Sequence, residues 1–380
     1  MDEPSPIPPK LPKSKRFSKK EIALFSVFGT ILLLFLVHLF VTREIPPIDD
    51  SDLVLPSKDS KSDLKFRDLR LKESALQDIV KLAEMGREEA QIDGEFLVNS
   101  PAPELEALRA LAALRDAEFK SLWDRGETEI AIKKAVSILK VGSNIQRADG
   151  SPIHQLVGLS VTARGQAKIV EIVQSQRLSS AQLQLLFDEV MSASFDSQGF
   201  QKTLVVDYSS QKMLMEELAA GRIDIDYLSQ NGEKGPDPSK PNPLLFKKNN
   251  TIRLYAEAYR DMIEEAAMFP ASAPNAAYNR AHRIRVNRPK TYFSGNPVGE
   301  LIFSMTIPAI VGVQERNRKT RIQFDLLRIQ IAAEHYRLES GNWPNHLESL
   351  VPEFIDSIPI DLMDGKLLRY NTEALRIYSV

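Results

Sequence analysis

The sequence predicts a mainly α-helical protein with one N-terminal transmembrane helix, a helical-bundle ectodomain and a small α+β module at the C-terminus. Three observations support this fold class. Residues 22–41 form an apolar run without a charged side chain, the apolar residues after about 67 recur mostly at helical spacing, and the last residues alternate as in a β-hairpin.

These patterns divide the chain into seven parts. We expect a cytoplasmic tail at 1–21, a transmembrane helix at 22–41, a linker at 42–66, a helical bundle at 67–228, an exposed loop at 229–243, a helical continuation with a basic irregular stretch at 244–314, and a C-terminal module at 315–380.

Composition excludes several kinds of site. The 380 residues include no cysteine, which rules out disulfides, thiolate metal sites and a thiol nucleophile. The net charge of −2 gives no support to nucleic-acid binding. Residues 1–44 carry seven basic and four acidic side chains, a net +3, so the rest of the chain has a net charge of −5.

The apolar run at 22–41 has the length of a membrane span. Its 20 residues, at about 1.5 Å each, match the ~30 Å hydrocarbon core of a bilayer. Six Lys and Arg residues precede it and only Arg43 follows closely, which predicts a cytoplasmic N-terminus and an exported remainder. No small-x-small cleavage site follows Val41. We therefore expect a signal-anchor in the bacterial inner membrane, with the lipid bilayer as partner.

Two stretches are predicted to lack regular secondary structure. Residues 45–66 are rich in Pro, Ser, Asp and Lys, which is typical of a stalk, and residues 229–243 hold four prolines and two glycines.

Local signals predict the helices of the bundle. Ser179 and Gln182 have the spacing of a capping box, and Ser151 precedes a proline at a helix start. Gly158, Thr162 and Gly165 share one helical face, where a second helix or, alternatively, a ligand could approach closely. A further helix is predicted after residue 101, with one apolar face comprising Leu108, Leu111, Leu114, Phe119 and Leu122.

The region 244–314 combines a helix over about 245–267, an irregular stretch at 269–298 and an apolar segment, Leu301–Val313. This segment is short for a span and contains Pro308, which favours a buried or interfacial helix. The irregular stretch is unusually basic, and we regard it as a candidate interaction site. Anionic lipid headgroups, an acidic partner, the protein's own acidic helices or solvent alone are the alternatives. Its residues are Arg280, His282, Arg283, Arg285, Arg288 and Lys290.

Beyond Glu315 the pattern predicts a helix followed by a hairpin. The helical stripe comprises Ile322, Leu326, Ile329, Ala333 and Tyr336. The helix stops at Gly341-Asn342-Trp343-Pro344, and alternation around residues 371–374 predicts a terminal β-hairpin. Asp361 and Asp364 flank a turn, where we expect them to bond backbone N–H groups rather than a metal.

The C-terminal segment contains the run Tyr336-Arg337-Leu338-Glu339-Ser340-Gly341-Asn342-Trp343-Pro344, followed by Ile358-Pro359-Ile360-Asp361, Gly365, Tyr370 and Tyr378-Ser379. With this pattern, residues 315–380 resemble the globular part of type II secretion pseudopilins, although Arg16 stands where prepilin processing needs a glycine. The resemblance covers about one sixth of the chain. It implies a structural role for the matching residues: Tyr336, Gly341, Trp343, Pro344, Pro359, Asp361, Gly365, Tyr370 and Tyr378. Leu362 replaces the usual proline and the sequence ends at Val380, before the acidic calcium-binding tail of those proteins, so no calcium site is carried over. More broadly, the chain resembles bacterial single-pass membrane proteins with a helical ectodomain, a likeness that implies architecture and no activity.

No motif predicts catalysis. The five histidines include no H-E-x-x-H, and G-x-S-x-G, Walker A and G-x-G-x-x-G sequences do not occur. We therefore expect no cofactor and no metal, and a non-enzymatic scaffold or interaction protein of the envelope with an envelope protein as partner, linked to a secretion or pilus-like assembly. The alternatives are a ligand-binding sensor or tether, and an envelope hydrolase that uses dispersed carboxylates. The neighbouring acidic pairs are Asp224/Asp226, Glu216/Glu217 and Glu264/Glu265. The oligomeric state stays open.

Overall fold

The structure is a computed structural model that describes residues 32–33, 43–53, 103–147, 150–193, 197–223, 241–242, 245–267, 276–287 and 294–380. The chain divides into two units, Met1–Ile45 and Pro46–Val380. Within the first unit, Leu32 and Leu33 are helical and exposed, and the rest of the predicted span at 22–41 lies outside the described residues. The predicted loop at 229–243 lies outside them as well, apart from residues 241–242.

The second unit is mainly helical, as predicted, and ends in a two-stranded antiparallel sheet. Its described part contains eight α-helices: α1 (Pro103–Asp124), α2 (Thr128–Arg147), α3 (Pro152–Gln174), α4 (Ser180–Ser192), α5 (Ser197–Ala220), α6 (Lys248–Ala267), α7 (Ala276–Val286) and α8 (Pro297–Ser340). The strands are β1 (Arg369–Asn371) and β2 (Arg376–Tyr378). Short 3₁₀ turns occur at Ser51–Leu53 and Leu347–Leu350.

Helix α8 contributes to three clusters of buried side chains. Its 44 residues extend over about 66 Å at ~1.5 Å per residue. Phe303 lies in a cluster with α5, α6 and α7. Leu327 lies in a second cluster with α1 to α4, and Ile329 lies in a third with the C-terminal module. The apolar surface of α8 therefore changes partner along its length.

The predicted stripe of small residues on α3 is where α2 packs closely. A Cβ atom on Gly142 of α2 would lie 2.4 Å from the backbone nitrogen of Thr162, and one on Gly165 would lie 2.6 Å from the backbone nitrogen of Leu139. Because backbone atoms cannot move aside as side chains do, these positions require glycine. The stripe serves helix packing, which was the first of the two predicted uses.

The start of α4 confirms the predicted capping box. Ser179 accepts from the backbone N–H of Gln182, and the Gln182 side chain accepts from the backbone N–H of Ser179. Ser151 does precede α3 with Pro152 at the first turn, but its hydroxyl bonds His154 Nδ1 at 2.9 Å instead of capping the helix. Leu114, predicted on the apolar face of α1, is exposed.

Two predictions for the region 244–314 were wrong. Part of the basic stretch predicted as irregular is helix α7, because Ala277 and Ala281, one turn apart, are fully buried against α6 and α8. Leu301–Val313 is helical and largely buried, as predicted, but it is not separate from the helix predicted beyond Glu315: both lie in α8, which continues through Pro308. A proline removes one backbone donor, and packing along the rest of the helix compensates for that loss.

Among the described residues, one helix, α8, is long and apolar enough to cross a membrane by length and composition. Its most apolar stretch has a mean hydropathy of 1.3 and is 44% buried within the protein. Phe303 and Ile307, in the same half of α8, are fully buried against other helices, which is typical of a core helix.

Candidate functional site

Residues 46–53 pack against α5 and α6, and we call them the strap. This corrects part of the predicted linker at 42–66. Leu53 is almost fully buried in the cluster that α5, α6 and α8 share. Asp49 Oδ1 accepts from the N–H and hydroxyl of Ser51, at 3.1 and 2.8 Å, and so sets the 3₁₀ turn that directs Leu53 inward. Residues 46–53 are therefore fixed to the helical body.

Asp50 is the buried polar contact of the strap. Its carboxylate accepts from the hydroxyl of Tyr208 and from Lys212 Nζ, at 2.7 and 3.0 Å for the two oxygens. Burial alone would raise the pKa of Asp50, but the bonds from Lys212 and Tyr208 outweigh it and hold the pKa below the usual value. The same burial, together with Asp50 itself, raises the pKa of Tyr208. Asp50 is therefore ionised at neutral pH and bound to two donors of α5.

A second contact joins the strap to α6. Arg260 donates from Nε and Nη2 to the two carboxylate oxygens of Asp52, at 2.7 and 2.6 Å, and Nη2 also bonds the carbonyl of Asp49 at 2.9 Å. The side chains of Arg260 and Asp52 are 40% and 55% exposed, so water screens this pair. It fixes orientation more than it adds stability.

Aromatic side chains lie behind the strap in the core. The ring of Tyr259 meets that of Tyr208 edge-on, with centroids 5.6 Å apart, and stacks on Tyr255 at 6.4 Å. The Tyr259 hydroxyl donates to Asp207, which is itself buried. Burial raises the pKa of Asp207 to about 6, against the opposing bonds from Tyr259 and Gln211. With a fully buried partner, Asp207 is a core carboxyl rather than a group poised to meet a substrate.

Sequence reasoning missed the strap. The local signal is weak, since Asp49-Asp50-Ser51-Asp52-Leu53 looks like any polar turn. Its partners follow 158 residues later at Tyr208 and 208 residues later at Arg260. An acidic turn that ends in a single leucine is a hint, but only tertiary contacts identify its role.

The basic residues predicted as an interaction site fall into two groups. Arg280 faces inward on α7, where it pairs with Glu257 and, at 3.2 Å, with Asp261 of α6. Burial raises the pKa of Asp261, and Arg280 opposes that shift. His282, Arg283 and Arg285 lie on the exposed side of α7. Arg288 and Lys290 lie outside the described residues.

The predicted turn at Asp361 and Asp364 is confirmed, and Asp361 is more central than the sequence indicated. Its side chain is fully buried and accepts from the backbone N–H groups of Met363 and Val380, at 2.9 and 3.0 Å. Burial opposes its ionisation, but these donors hold its pKa below the usual value. Asp364 accepts from the backbone N–H of Lys366 at 3.1 Å.

One cation, Arg369, joins both turn carboxylates, since its guanidinium pairs with Asp361 at 3.1 Å and with Asp364. Its role was not predicted from the sequence. Across the part of the chain that the structure describes, no three His, Asp or Glu side chains are grouped as a metal site would need. The two carboxylates are occupied by turn N–H groups and by Arg369, so the arrangement is structural.

The first pseudopilin-like residues lie where α8 ends. The ring of Tyr336 meets Phe354 edge-on, with centroids 5.7 Å apart. Gly341 ends the helix with a φ of +78°, and its N–H bonds the carbonyl of Arg337 at 2.9 Å. The guanidinium of Arg337 lies 5.5 Å from the centre of the Trp343 ring. These residues fix the turn that leads the chain into the C-terminal module.

The remaining pseudopilin-like residues lie in that module. Pro344 is buried, and the carbonyl of Pro359 accepts from the N–H of Leu368 at 3.0 Å. Gly365 adopts a φ of +74° in the turn. Tyr370 is in β1, pairing with Ile377 of β2, and Tyr378 ends β2 with an exposed ring. The structure therefore brings the matching residues together in one module.

A cavity of about 190 Å³ lies in this module. The hydroxyl of Tyr370 is buried and has no hydrogen-bond partner among the described residues, and burial raises its pKa. The lining is Asn345, His346, Leu347, Glu348, Ile358, Leu367, Leu368 and Tyr370. The volume is below the ~300 Å³ at which drug-sized ligand sites begin.

Within the described residues, the neighbouring carboxylates considered for acid–base chemistry do not form a common site. Glu217 pairs with the exposed Arg222 at 2.5 Å, and this contact lowers its pKa. Glu265 accepts from the backbone N–H of Ala276 at 3.0 Å, while burial raises its pKa. Glu216 and Glu264 are exposed, and Asp224 and Asp226 lie outside the described residues.

Comparison of the chain with protein-family models, with curated proteins and with solved structures finds no match. The geometry of the described residues is therefore the basis for a functional proposal.

Proposed function

We propose that this chain is a membrane-anchored, non-enzymatic scaffold or interaction protein of the bacterial envelope. In this proposal residues 22–41 cross the inner membrane, the N-terminus is cytoplasmic, and Pro46–Val380 is the exported body. The single observation that carries the proposal is the strap. An exported body on a flexible tether would need no fixed contact directly after its anchor, whereas here the first residues of the body are bound to it by Asp50, Asp52 and Leu53.

Helix α8 joins the strap to the C-terminal module. It shares one cluster with Leu53 and another with Leu347 and Leu368 of that module. We propose that the module, which resembles pseudopilin heads in sequence, is the part that engages a secretion or pilus-like assembly. The described carboxylates supply no pair in contrasting surroundings beside an open cleft, so no observation favours the hydrolase alternative.

The test has two parts. A reporter that is active only outside the cytoplasm is fused after Val380, and membranes are washed at alkaline pH to remove peripheral proteins. We expect reporter activity and retention in the membrane pellet. Activity of a cytosol-only reporter at the same position, or full release by the wash, would overturn the membrane anchoring.

The interaction is tested by cross-linking in intact cells, followed by purification through the C-terminal fusion. We expect components of an envelope assembly to be recovered with the intact chain. Recovery should fall when Asp361→Ala is introduced, because that variant disturbs the module and leaves the anchor intact. Repeated recovery of no envelope component would refute the scaffold role.

A further inference from the structure

We propose that the strap is a pH-dependent latch, and that ionisation of Asp207 in the core behind it favours its release. Asp207 precedes Tyr208, the residue of α5 that donates to Asp50 of the strap. The inference goes beyond the proposed function and does not depend on membrane anchoring, since every group involved belongs to Pro46–Val380.

Asp207 is a buried carboxyl without a cation. It is 7% exposed, and among the described residues its partners are the hydroxyl of Tyr259, which donates to it, and Gln211. A buried carboxyl that has no cation beside it favours the uncharged form, and burial raises the pKa of Asp207 to about 6. Asp207 therefore changes charge between mildly acidic and neutral surroundings.

Asp50 of the strap has a different environment. It too is buried, but Lys212 Nζ pairs with it at 2.7 Å and helps to hold its pKa below the usual value. Asp50 therefore stays ionised across the mildly acidic and neutral range. Of these two carboxyls, Asp207 is the one whose charge responds to pH there.

Two tyrosines connect Asp207 with the strap. The hydroxyl of Tyr259 bonds Asp207, and its ring meets that of Tyr208 edge-on, with centroids 5.6 Å apart. Tyr208 in turn donates to Asp50, and Leu53 of the strap lies in the same buried cluster as both rings. Withdrawal of Leu53 uncovers this cluster and gives water a path to Asp207. Because water stabilises the charged carboxylate, ionisation favours this opening.

The other titratable and charged groups on the elements around Asp207 have partners of their own. The pairs are Tyr255 of α6 with Thr306 of α8, Arg260 of α6 with Asp52 of the strap, Lys212 of α5 with Asp50, and His154 of α3 with Ser151. None of these partners neutralises the charge that Asp207 acquires when it ionises.

The strap should open more readily as pH rises. The pKa of Asp207 is about 6 in the closed state and returns to its ordinary value near 3.8 once water reaches the carboxylate. Linkage then gives a roughly tenfold larger opening constant at pH 8 than at pH 5. Acidic surroundings hold the strap closed, and neutral surroundings favour its release.

Hydrogen exchange of the Leu53 amide measures this opening, because its N–H bonds the carbonyl of Asp50 at 2.9 Å. The full chain in detergent micelles is compared at pH 5 and pH 8, with rates corrected for the pH dependence of intrinsic exchange. We expect a roughly tenfold rise of the opening constant in the wild type and none in Asp207→Asn. Asp188→Asn, at an exposed carboxyl of α4, is the matched control and should keep the rise.

A second pair of variants moves the transition without removing the carboxyl. Tyr259→Phe removes a donor that lowers the pKa of Asp207, so the rise in opening should occur at higher pH. Tyr255→Phe removes a hydroxyl of the same aromatic cluster that bonds Thr306 instead, and it should leave the midpoint unchanged. Unchanged circular dichroism shows that each variant is folded.

Three results would overturn the latch. The first is an equal opening constant of the wild type at the two pH values. The second is a rise that persists in Asp207→Asn, since another group would then be its cause. The third is a Leu53 amide that exchanges only as slowly as the most protected amides of α8, because the strap would then not open separately from the whole fold.

Discussion

Replacing Asp50 by alanine should detach the strap. The change leaves the buried Tyr208 hydroxyl without its acceptor, which costs about 1–3 kcal/mol. Lys212 loses its partner too, but its side chain is 32% exposed, so water replaces most of that bond; we assign it no more than about 1 kcal/mol. The strap should therefore open more easily by about 1–4 kcal/mol, a roughly 5- to 900-fold larger opening constant.

The matched control lies two residues away on the same strap. Asp52→Ala removes the same charge, but from a pair with Arg260 that is screened by water. The expected cost is about 0–1 kcal/mol, or at most a fivefold change in opening. Because both variants remove one carboxylate from one segment, the difference between them isolates the effect of burial.

Hydrogen exchange measured by mass spectrometry on the full chain in nanodiscs reads the opening locally. Peptides covering 46–53 should exchange faster in Asp50→Ala than in Asp52→Ala, while peptides from the C-terminal half of α8 should be unchanged. Equal exchange of the strap in the two variants would refute the role assigned to the buried contact. Faster exchange throughout the body would show that Asp50 supports the whole fold instead.

Three further predictions concern stability, each measured by thermal unfolding. Burial raises the pKa of Asp207 from 3.8 to about 6 in the folded protein. The free energy of unfolding should therefore be highest below pH 3.8 and fall as pH rises through 6, where the buried carboxyl ionises. Asp207→Asn should flatten this fall in stability and stabilise the protein at pH 8 by about 2–3 kcal/mol. Gly142→Ala should destabilise by about 1–3 kcal/mol, because its Cβ would meet the backbone of Thr162, whereas Gly312→Ala, with nothing within 4 Å, should stabilise by about 0.5–1 kcal/mol. Asp361→Ala should lower the free energy of unfolding by about 3–5 kcal/mol. The difference in stability between the wild type and this variant should disappear as pH falls through the lowered pKa of Asp361. A flat pH profile for the wild type, equal effects of the two glycine variants, or an Asp361→Ala protein as stable as the parent would contradict the respective reasoning.

Local signals were sufficient wherever neighbouring residues determine the structure. The capping box at Ser179 uses atoms three residues apart, and the terminal hairpin pairs residues 369–371 with 376–378. The close packing at Gly165 followed from a helical period and residue size alone. In each case the residues that produce the signal lie close together in the sequence.

The features that were missed or wrongly predicted depend instead on contacts between residues far apart in the chain. Helix α7 exists because two alanines pack against α6 and α8, and its composition of arginines and a histidine hides that contact. The strap depends on side chains far away along the chain. Helix α8 is continuous because different elements pack against successive parts of it. A proline and a change of composition hid this continuity in the sequence.

The late position of α8 in the chain has a consequence for biosynthesis. Phe303, Leu327 and Ile329 are buried in three different clusters, yet all of them are made after about three quarters of the polypeptide. None of these clusters can close while residues 297–340 are still inside the ribosome. A growing chain thus keeps the apolar surface of all three clusters uncovered until near the end of synthesis.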